Sequence, residues 1–290
     1  MTINGNVISW LLEDDNPAVR YRTQTEILGK TGDKAPILPW LNRSMPKDWP
    51  ERQQGIFKHY LTALSECGLA HEDVPWDKGR IIQYGSVTHF GHSCADYLHL
   101  RALVRLGLAH EPTVAEIIRK LPERQLPDGG FLCLHRLDKL KYIPKSCVKA
   151  NMAALMLCAE CKKKDVTINI TNNLLNYFWN HNLFYRTDDP SALILNAREG
   201  WRSIDTFHPF EPMRVGLHNI LESFCALGYG NDLRLDEAWY MLESRRNAED
   251  KYILDGTLTK SYLPKERAGK PGKWVTFYAL LARKERDSHA

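Results

Sequence analysis

The sequence predicts an all-α protein, and three observations support this fold class. Apolar residues recur at helical spacing along most of the chain, as in Leu98, Ala102, Leu103 and Leu106. Strand patterns, in which apolar and polar residues alternate, are almost absent. Several apolar segments close on a glycine, the residue that is favoured just after a helix end. Together these features predict helices joined by short polar loops.

Six predicted helices begin successive units of the chain, and a proline or glycine stands near each start. They span about 17–29, 52–67, 92–107, 146–160, 212–228 and 272–285, with Pro17, Pro50, Gly91, Pro144, Pro212 and Pro271 near their starts. Proline suits a first helical turn, where its missing N–H needs no partner. Because each of these helices alternates with a partner that runs back, the pattern predicts helical hairpins.

The hairpins share an internal repeat. The segments 61–73, 100–112 and 221–233 follow one plan, LTALSECGLAHED, LRALVRLGLAHEP and LESFCALGYGNDL. Aligning the second and third copies brings 250–252 next to 128–131, which reads Asp-Gly-Gly-Phe. We predict that this turn is a recurrent structural staple, in which the Gln125 amide bonds open backbone groups and Phe131 folds back onto the chain. Stacked hairpins of this kind predict an (α/α)6 toroid with six parallel inner helices, as one domain over 1–290.

The composition of the chain excludes several classes of function and location. The 290 residues are 43% hydrophobic and 26% charged, as in ordinary globular proteins. The net charge of +4 comes without a long basic block, so no nucleic-acid partner is predicted. No apolar run approaches the ~20 residues of a membrane span, and the N-terminus lacks a signal-peptide pattern. Seven cysteines, mostly in helical patterns, predict a reduced, cytoplasmic protein. The oligomeric state stays open.

Two short stretches near 158–165 are predicted to have structural rather than chemical roles. Cys158 and Cys161 form a CxxC pair, but no second pair follows, and their helical spacing favours a packed role over zinc or redox chemistry. The CKKKD stretch that begins at Cys161 predicts a solvated helix end.

Candidate site residues cluster at the predicted starts of the inner helices. Parallel inner helices bring their N-termini together, where free N–H groups and the helix dipole favour an anion. Two of these starts share a Ser-Cys pair. The candidate acid–base groups are His92, Asp96 and His218. The candidate ligand-binding residues are Lys145, Lys149, Arg214 and Lys273 for an anionic group, with Trp274 as a cavity wall.

A metal site is an alternative use of the same region. His92, Cys94 and Asp96 are residue types that ligate zinc, and His92 and Asp96 are neighbours on a helix. Cys94 with His92 is also a candidate pair of nucleophile and base. Zinc is therefore a possible cofactor, and no other cofactor is predicted.

The segment RQLPDGGF, 124–131, resembles the QxxDGxW/F repeat of squalene–hopene cyclases and protein prenyltransferase β subunits. The segments EPMRVGLHNILESFCALGYGNDLRLDEAW and GKPGKWVTFYALLARKER resemble bacterial proteins grouped as prenyltransferase and squalene-oxidase repeat proteins. The N-terminal DNPAVRYRTQTEILG resembles the opening of the same proteins, and also a HEAT repeat. This resemblance implies an (α/α)6 toroid with a central cavity.

The resemblance does not carry over the reactions of those families. The chain lacks the DxDD motif of class II terpene cyclases and the DDxxD motif of class I chemistry. The Asp-x-Cys zinc pair of protein prenyltransferases has its nearest match in Cys94-x-Asp96, which reverses the order.

The first functional hypothesis is an enzyme or enzyme-like binder that acts on a small, anionic organic molecule in the toroid. A lyase, isomerase or cyclase is favoured, since GxGxxG and GxxxxGK[ST] are both absent. The alternatives are a non-catalytic, HEAT-like protein-binding scaffold and a zinc-dependent, prenyltransferase-like enzyme. A sugar-active toroid enzyme is a further alternative, which the basic residues disfavour.

Overall fold

The structure is helical throughout its described part. It is a computed structural model that describes residues 4–44, 54–85, 94–132, 146–186, 188–189, 215–256 and 266–288. Within these ranges there is no β-strand, and the extended contacts are two isolated bridges, Arg246 with Tyr252 and Ile253 with Pro271. The all-α prediction is therefore confirmed.

Twelve α-helices are described, and a π-helix, Thr23–Ile27, continues the second of them. The helices are α1 Gly5–Leu11, α2 Pro17–Arg22, α3 Ile37–Ser44, α4 Gln54–Glu66, α5 Lys78–Gly85, α6 Ala95–Arg105, α7 Pro112–Lys120, α8 Val148–Lys163, α9 Thr171–Asn180, α10 Leu217–Ala226, α11 Asp236–Glu243 and α12 Lys273–Ser288. The six predicted unit-starting helices correspond to the even-numbered ones. Their predicted starts near 52, 92 and 212 lie outside the described residues.

Burial separates the two sets of helices. In α10 every residue is buried, and α8 is buried from Val148 to Cys161 except at Lys149. By contrast, α11 buries only one stripe of Ala238, Trp239 and Leu242. A helix that is buried all round belongs to the interior, whereas a helix with one apolar stripe covers it. The even-numbered helices therefore form the inside of the fold.

The even-numbered helices pack on one another in chain order. Helix α4 packs on α6, α6 on α8, α8 on α10 and α10 on α12, and α12 also contacts α2 and the π-helix. Side chains join the ends of these helices. Arg105, the last residue of α6, donates from Nε to the Ser65 carbonyl in the last turn of α4, at 3.0 Å. Lys163, the last residue of α8, lies 3.0 Å from Glu285 near the end of α12. The C-terminal turns of α4 and α6 therefore lie together, as do those of α8 and α12.

The turn at 125–131 lies between α7 and α8. Gln125 donates from Nε2 to the carbonyls of Gly129, at 2.8 Å, and Ile170, at 3.0 Å. It therefore ties its own turn to the residue before α9. Asp128 Oδ1 accepts hydrogen bonds from the amide of Gly130, at 3.0 Å, and from the Ser146 hydroxyl, at 2.6 Å. The prediction of a structural staple is confirmed, with partners that lie partly outside the turn.

The same turn docks onto the start of α8. The Phe131 side chain is fully buried and packs against Tyr97, with ring centroids 5.1 Å apart. Its amide donates to Asn151 Oδ1 at 2.7 Å, and its carbonyl accepts from the amide of Cys147 at 2.8 Å. The aromatic residue therefore fixes the first turn of the next inner helix through its backbone as well as its ring.

A second copy of this arrangement precedes α12. The amide of Tyr252 donates to Thr276 Oγ1 at 3.0 Å, and the Tyr252 carbonyl accepts from the amide of Gly272 at 3.0 Å. Two residues before each aromatic the backbone has a positive φ, +86° at Gly129 and +63° at Asp250. The predicted alignment of these two turns is thus confirmed by their hydrogen bonds.

Candidate functional site

Two cysteines meet where inner helices begin. Cys94 immediately precedes α6, and Cys147 immediately precedes α8. Hydrogen bonding with Cys94 is the largest cause of the lowered pKa of Cys147. Cys94 is buried, with 4% of its surface exposed, whereas Cys147 is half-buried and so partly open to solvent. The prediction for Cys94 named His92 and Asp96 as its partners and did not consider Cys147.

The surroundings of Cys147 favour a thiolate. The hydrogen bonding with Cys94 is the largest cause, and the backbone N–H groups of Ala150 and Lys149 also point at the sulfur. Together with the positive charge of Lys149 they outweigh burial and lower the pKa of Cys147 to about 6. Thiolates are stabilised in this way at helix N-termini, where N–H groups have no helical partner. These contacts therefore favour the thiolate form of Cys147.

His218 lies in the first turn of α10 and is fully buried. Neither ring nitrogen has a hydrogen-bond partner within the described part of the chain. Burial lowers the pKa of the imidazole to about 3, so that the ring is neutral. A side chain at Gly216 would place its Cβ 2.3 Å from His218 Cε1, which shows that glycine is needed there for the ring to fit. Its ring centroid lies 5.7 Å from that of Tyr278.

Lys273 and Trp274 begin α12 and are both buried. Lys273 Nζ lies 2.9 Å from a carboxylate oxygen of Glu13 and also contacts Asp15. Its charge is thus already matched, and an anion could bind it only by displacing these partners. Trp274 stacks on Tyr278 at an interplanar angle of 26°, as part of the aromatic core.

The start of α12 is also capped from within the chain. Glu266 accepts a hydrogen bond from the amide of Lys273, and burial raises the pKa of its carboxyl to about 7. An internal carboxylate therefore occupies the position in which the sequence predicted an external anion at this helix.

The remaining predicted site residues divide into two groups. Asp96 is buried in the first turn of α6, and Lys149 is partly exposed in the first turn of α8. His92, Lys145 and Arg214 lie outside the described residues, so their assigned roles stay predictions. Among the residues that the structure describes, no three His, Cys, Asp or Glu side chains gather to hold a metal ion. A zinc site that includes His92 is not tested by this finding.

Ionised side chains dominate the opposite end of the inner helices. We call this set the charge cluster, and every even-numbered helix or its extension contributes to it. Its members are Arg22, Glu26, Glu66, Arg101, Arg105, Glu160, Lys163, Glu222 and Glu285.

Glu66 joins three inner helices in this cluster. Its fully buried carboxylate lies 3.1 Å from Arg22 and 2.7 Å from Arg101. Burial alone would raise the pKa of this carboxyl, but the charges of Arg101, Arg105 and Arg22 outweigh it and hold the pKa at about 2. Arg22 also donates to the Tyr278 hydroxyl at 2.8 Å and lies over the Phe277 ring at 4.5 Å. The cluster thus fastens the C-terminal turns to one another.

A depression of about 390 Å³ opens beside the charge cluster. Its charged lining residues are Glu26, Lys34, Arg105, Glu160, Lys163 and Lys164. Lys34 pairs with Asp73, at 2.6 Å, and Arg105 with Glu160, at 3.0 Å. Since most of these charges are matched within the protein, the depression is better explained as the surface of a structural network than as a ligand site.

The sequence patterns predicted some of these residues correctly and others wrongly. The recurrence of Ser-Cys before α6 and α8 was visible, and it marks the two thiols that the structure brings together. The expectation of a solvated helix end at 161–165 is confirmed for 162–165, which are exposed, and is wrong for Cys161, which is fully buried. Exposed Lys163 also pairs with Glu222 and Glu285. Cys158 is fully buried as well, in agreement with a packed role, and burial raises its pKa to about 12.

Comparison of the chain with protein-family models, with curated proteins and with solved structures finds no match. None of the helices in the described ranges combines the length and apolar character needed to cross a bilayer.

Proposed function

We propose that this chain is an (α/α)6 toroid that binds a small organic molecule where its inner helices begin and acts on it as an enzyme. A lyase, isomerase or cyclase is the reaction class in best accord with the residues. The ligand carries an anionic group, a carboxylate or a phosphate.

The packing order of the inner helices supports the toroid. From α4 to α12 each even-numbered helix packs on the next, and α12 contacts α2. Arg22 of α2 completes the circuit by donating to the Glu66 carbonyl of α4 at 3.2 Å. Six parallel helices with this sequence of neighbours close a ring, and the odd-numbered helices then cover its outside.

The difference between the two ends of the inner helices supports a binding site at their N-termini. Ion pairs between helices hold the C-terminal turns together. The N-terminal turns carry polar groups of another kind, with the neutral, buried imidazole of His218 and the thiols of Cys94 and Cys147.

The buried imidazole of His218 is the main observation in favour of a ligand site at the start of the inner helices. A buried polar group without a hydrogen bond costs stability, and such groups concentrate at functional sites. A neutral imidazole offers one donor and one acceptor, and a ligand that supplies both partners would recover this cost. Because the pKa of His218 lies near 3, its role is to orient a ligand rather than to store a proton. Asp96, in the first turn of α6, remains a candidate acid–base group.

A protein-binding scaffold has less support. Among the described residues two large apolar side chains are strongly exposed, Leu233 at 81% and Tyr240 at 76%. A docking surface for a protein requires a contiguous apolar patch of several hundred Å², which two side chains do not provide.

A matched ligand screen tests the proposal. We would measure the melting temperature of the whole protein with small carboxylates and phosphate esters, each paired with its neutral amide or alcohol analogue. We expect at least one acceptor-rich compound to raise the melting temperature, and His218→Ala to weaken its binding at least tenfold. Gly5→Ala, which meets no neighbouring atom within 4 Å, is the control variant. Binding that His218→Ala leaves unchanged would contradict the site, and stabilisation by the neutral analogues alone would contradict the ligand class.

A further inference from the structure

We propose that Cys94 and Cys147 form a reversible dithiol–disulfide pair that reacts with small disulfides, with Cys147 as the attacking thiol and Cys94 as the resolving thiol. This inference does not depend on the proposed ligand. It concerns two side chains that lie in the described part of the chain, each directly before one of two inner helices that pack on each other.

The fold brings the two sulfurs together. Helices α6 and α8 pack side by side along their length, and each begins directly after one of the cysteines. The turn before α8 holds Cys147 in place, because the Phe131 carbonyl accepts its amide and Asp128 accepts the hydroxyl of Ser146. A disulfide between them requires their Cβ atoms to lie about 4 Å apart, and the start of two packed, neighbouring helices is a place where two cysteines can reach this separation.

Access and hydrogen bonding assign the two roles. Cys147 is half-buried, so a small reagent can reach its sulfur, whereas Cys94 is 4% exposed and sheltered. The N–H groups of Lys149 and Ala150 stabilise negative charge on Cys147, and the same groups make it the thiolate of the pair. Hydrogen bonding with Cys147 places Cys94 to displace whatever Cys147 has bound.

The reaction balances as two thiol–disulfide exchanges. The Cys147 thiolate attacks one sulfur of an external disulfide, forms a mixed disulfide and releases one thiolate. Cys94 then loses its proton and attacks the Cys147 sulfur, which forms the Cys94–Cys147 bond and releases the second thiolate. Two protein thiols are oxidised, and the external disulfide is reduced to two thiols. Excess thiol reverses both steps.

Other cysteines of the chain serve as internal controls. Cys67, Cys158, Cys161 and Cys225 are fully buried, and burial raises the pKa of each thiol. Buried thiols of this kind are inert toward small disulfides.

Oxidation of the whole, folded protein by glutathione disulfide tests the inference, with alkylation, trypsin digestion and mass spectrometry as the readout. We expect the tryptic peptide 81–101, which contains Cys94, to be linked to the peptide 146–149, which contains Cys147. Dithiothreitol should restore both thiols. Cys94→Ser should instead accumulate glutathione on Cys147, because the resolving thiol is absent. Cys147→Ser should leave Cys94 unmodified, and Cys225→Ser should behave as the unchanged protein.

Three results would contradict the proposal that Cys94 and Cys147 form a dithiol–disulfide pair. One is glutathione that stays on Cys147 of the unchanged protein without a link to Cys94. Another is thiols that both remain unmodified after oxidant has converted a small reference thiol completely. The third is a bound zinc ion that protects both cysteines from alkylation until a chelator removes it. Melting curves of the two serine variants verify that each is folded before its chemistry is compared.

Discussion

The amide of Phe131 donates a 2.7 Å hydrogen bond to Asn151 Oδ1, and four residues before Asn151 the amide of Cys147 donates back to the Phe131 carbonyl. An aromatic residue after a turn is thus bonded on both backbone sides to the first turn of the next inner helix. Tyr252 makes the equivalent pair of bonds before α12. The turn is a device for setting the position of an inner helix, and at α8 this position includes a reactive thiol.

Replacing Phe131 by alanine should destabilise the protein by roughly 2–4 kcal/mol, because the ring is fully buried against Tyr97. The change in the free energy of unfolding in urea measures this loss. Phe131→Leu keeps most of the buried volume and should cost clearly less. A variant Phe131→Ala that unfolds at the same urea concentration as the unchanged protein would show that the ring does not hold the turn.

The two backbone acceptors offer a paired test of the repeat. Asn151→Leu and Thr276→Val each remove the side-chain oxygen that accepts from a buried amide, of Phe131 or Tyr252. An unsatisfied buried donor costs about 1–3 kcal/mol, and we expect a loss of this size from each variant in urea unfolding. Ser288→Ala, at the exposed end of α12, is the control. A loss at only one of the two sites would mean that the two turns share a geometry but contribute differently to the free energy of unfolding.

Periodic patterns were sufficient to predict the helices, because the apolar spacing of a helix depends on residues that are close together in the sequence. Charges that pair across helices were not predictable in this way. Arg22 pairs with Glu66, 44 positions later in the chain, and no local pattern connects them. For the same reason Lys273 was expected to offer a free charge, although it contacts Glu13 and Asp15 near the other end of the sequence. The Ser-Cys recurrence marks the starts of α6 and α8, two helices that pack side by side, although it was not used to predict that these cysteines are neighbours.

Glu66→Gln should cost roughly 3–5 kcal/mol of stability, because it leaves the buried charges of Arg22 and Arg101 without their shared carboxylate. Urea unfolding at neutral pH measures this loss. The pKa of Glu66 is held near 2, below its ordinary value of 4.5, so its contribution is complete above about pH 4.5 and is lost as the pH falls toward 2. The difference between the two proteins should therefore shrink in acid. Glu116→Gln, which removes an exposed ion pair with Arg119, is the control and should leave stability unchanged.

Lys273→Ala and Lys273→Met separate charge from packing at the start of α12. The lysine stem is buried, and its ammonium lies 5.4 Å from the Trp10 ring centroid as well as beside two carboxylates. Methionine keeps the apolar stem, so we expect it to retain more of the melting temperature than alanine does. Equal melting temperatures for all three proteins would mean that Lys273 has no structural role. Its charge would then be available for the anionic ligand that the sequence predicts.

The cluster carries one excess negative charge when all its members are ionised, and Glu285 is the acid whose raised pKa favours its protonated form. Four basic members face five carboxylates when all are ionised. Burial, followed by the negative charge of Glu222, raises the pKa of Glu285 to about 8. Its protonated form leaves the cluster neutral.

Glu285→Gln should therefore make the protein more stable than the unchanged chain in mild alkali. The folded state keeps a proton on Glu285 between about pH 4.5 and 8 that the unfolded state has released, so stability falls as the pH rises through this window. One such proton changes the free energy of unfolding by at most about 1.4 kcal/mol per pH unit. Glutamine resembles the protonated acid at every pH and removes this slope. The two proteins should melt alike near pH 5, and the variant should melt higher near pH 9. Glu266, whose pKa burial raises to about 7, contributes a slope of the same sign to both proteins and cancels in the comparison. A variant that melts lower than the unchanged protein near pH 9 would show that Glu285 works in the cluster as a carboxylate.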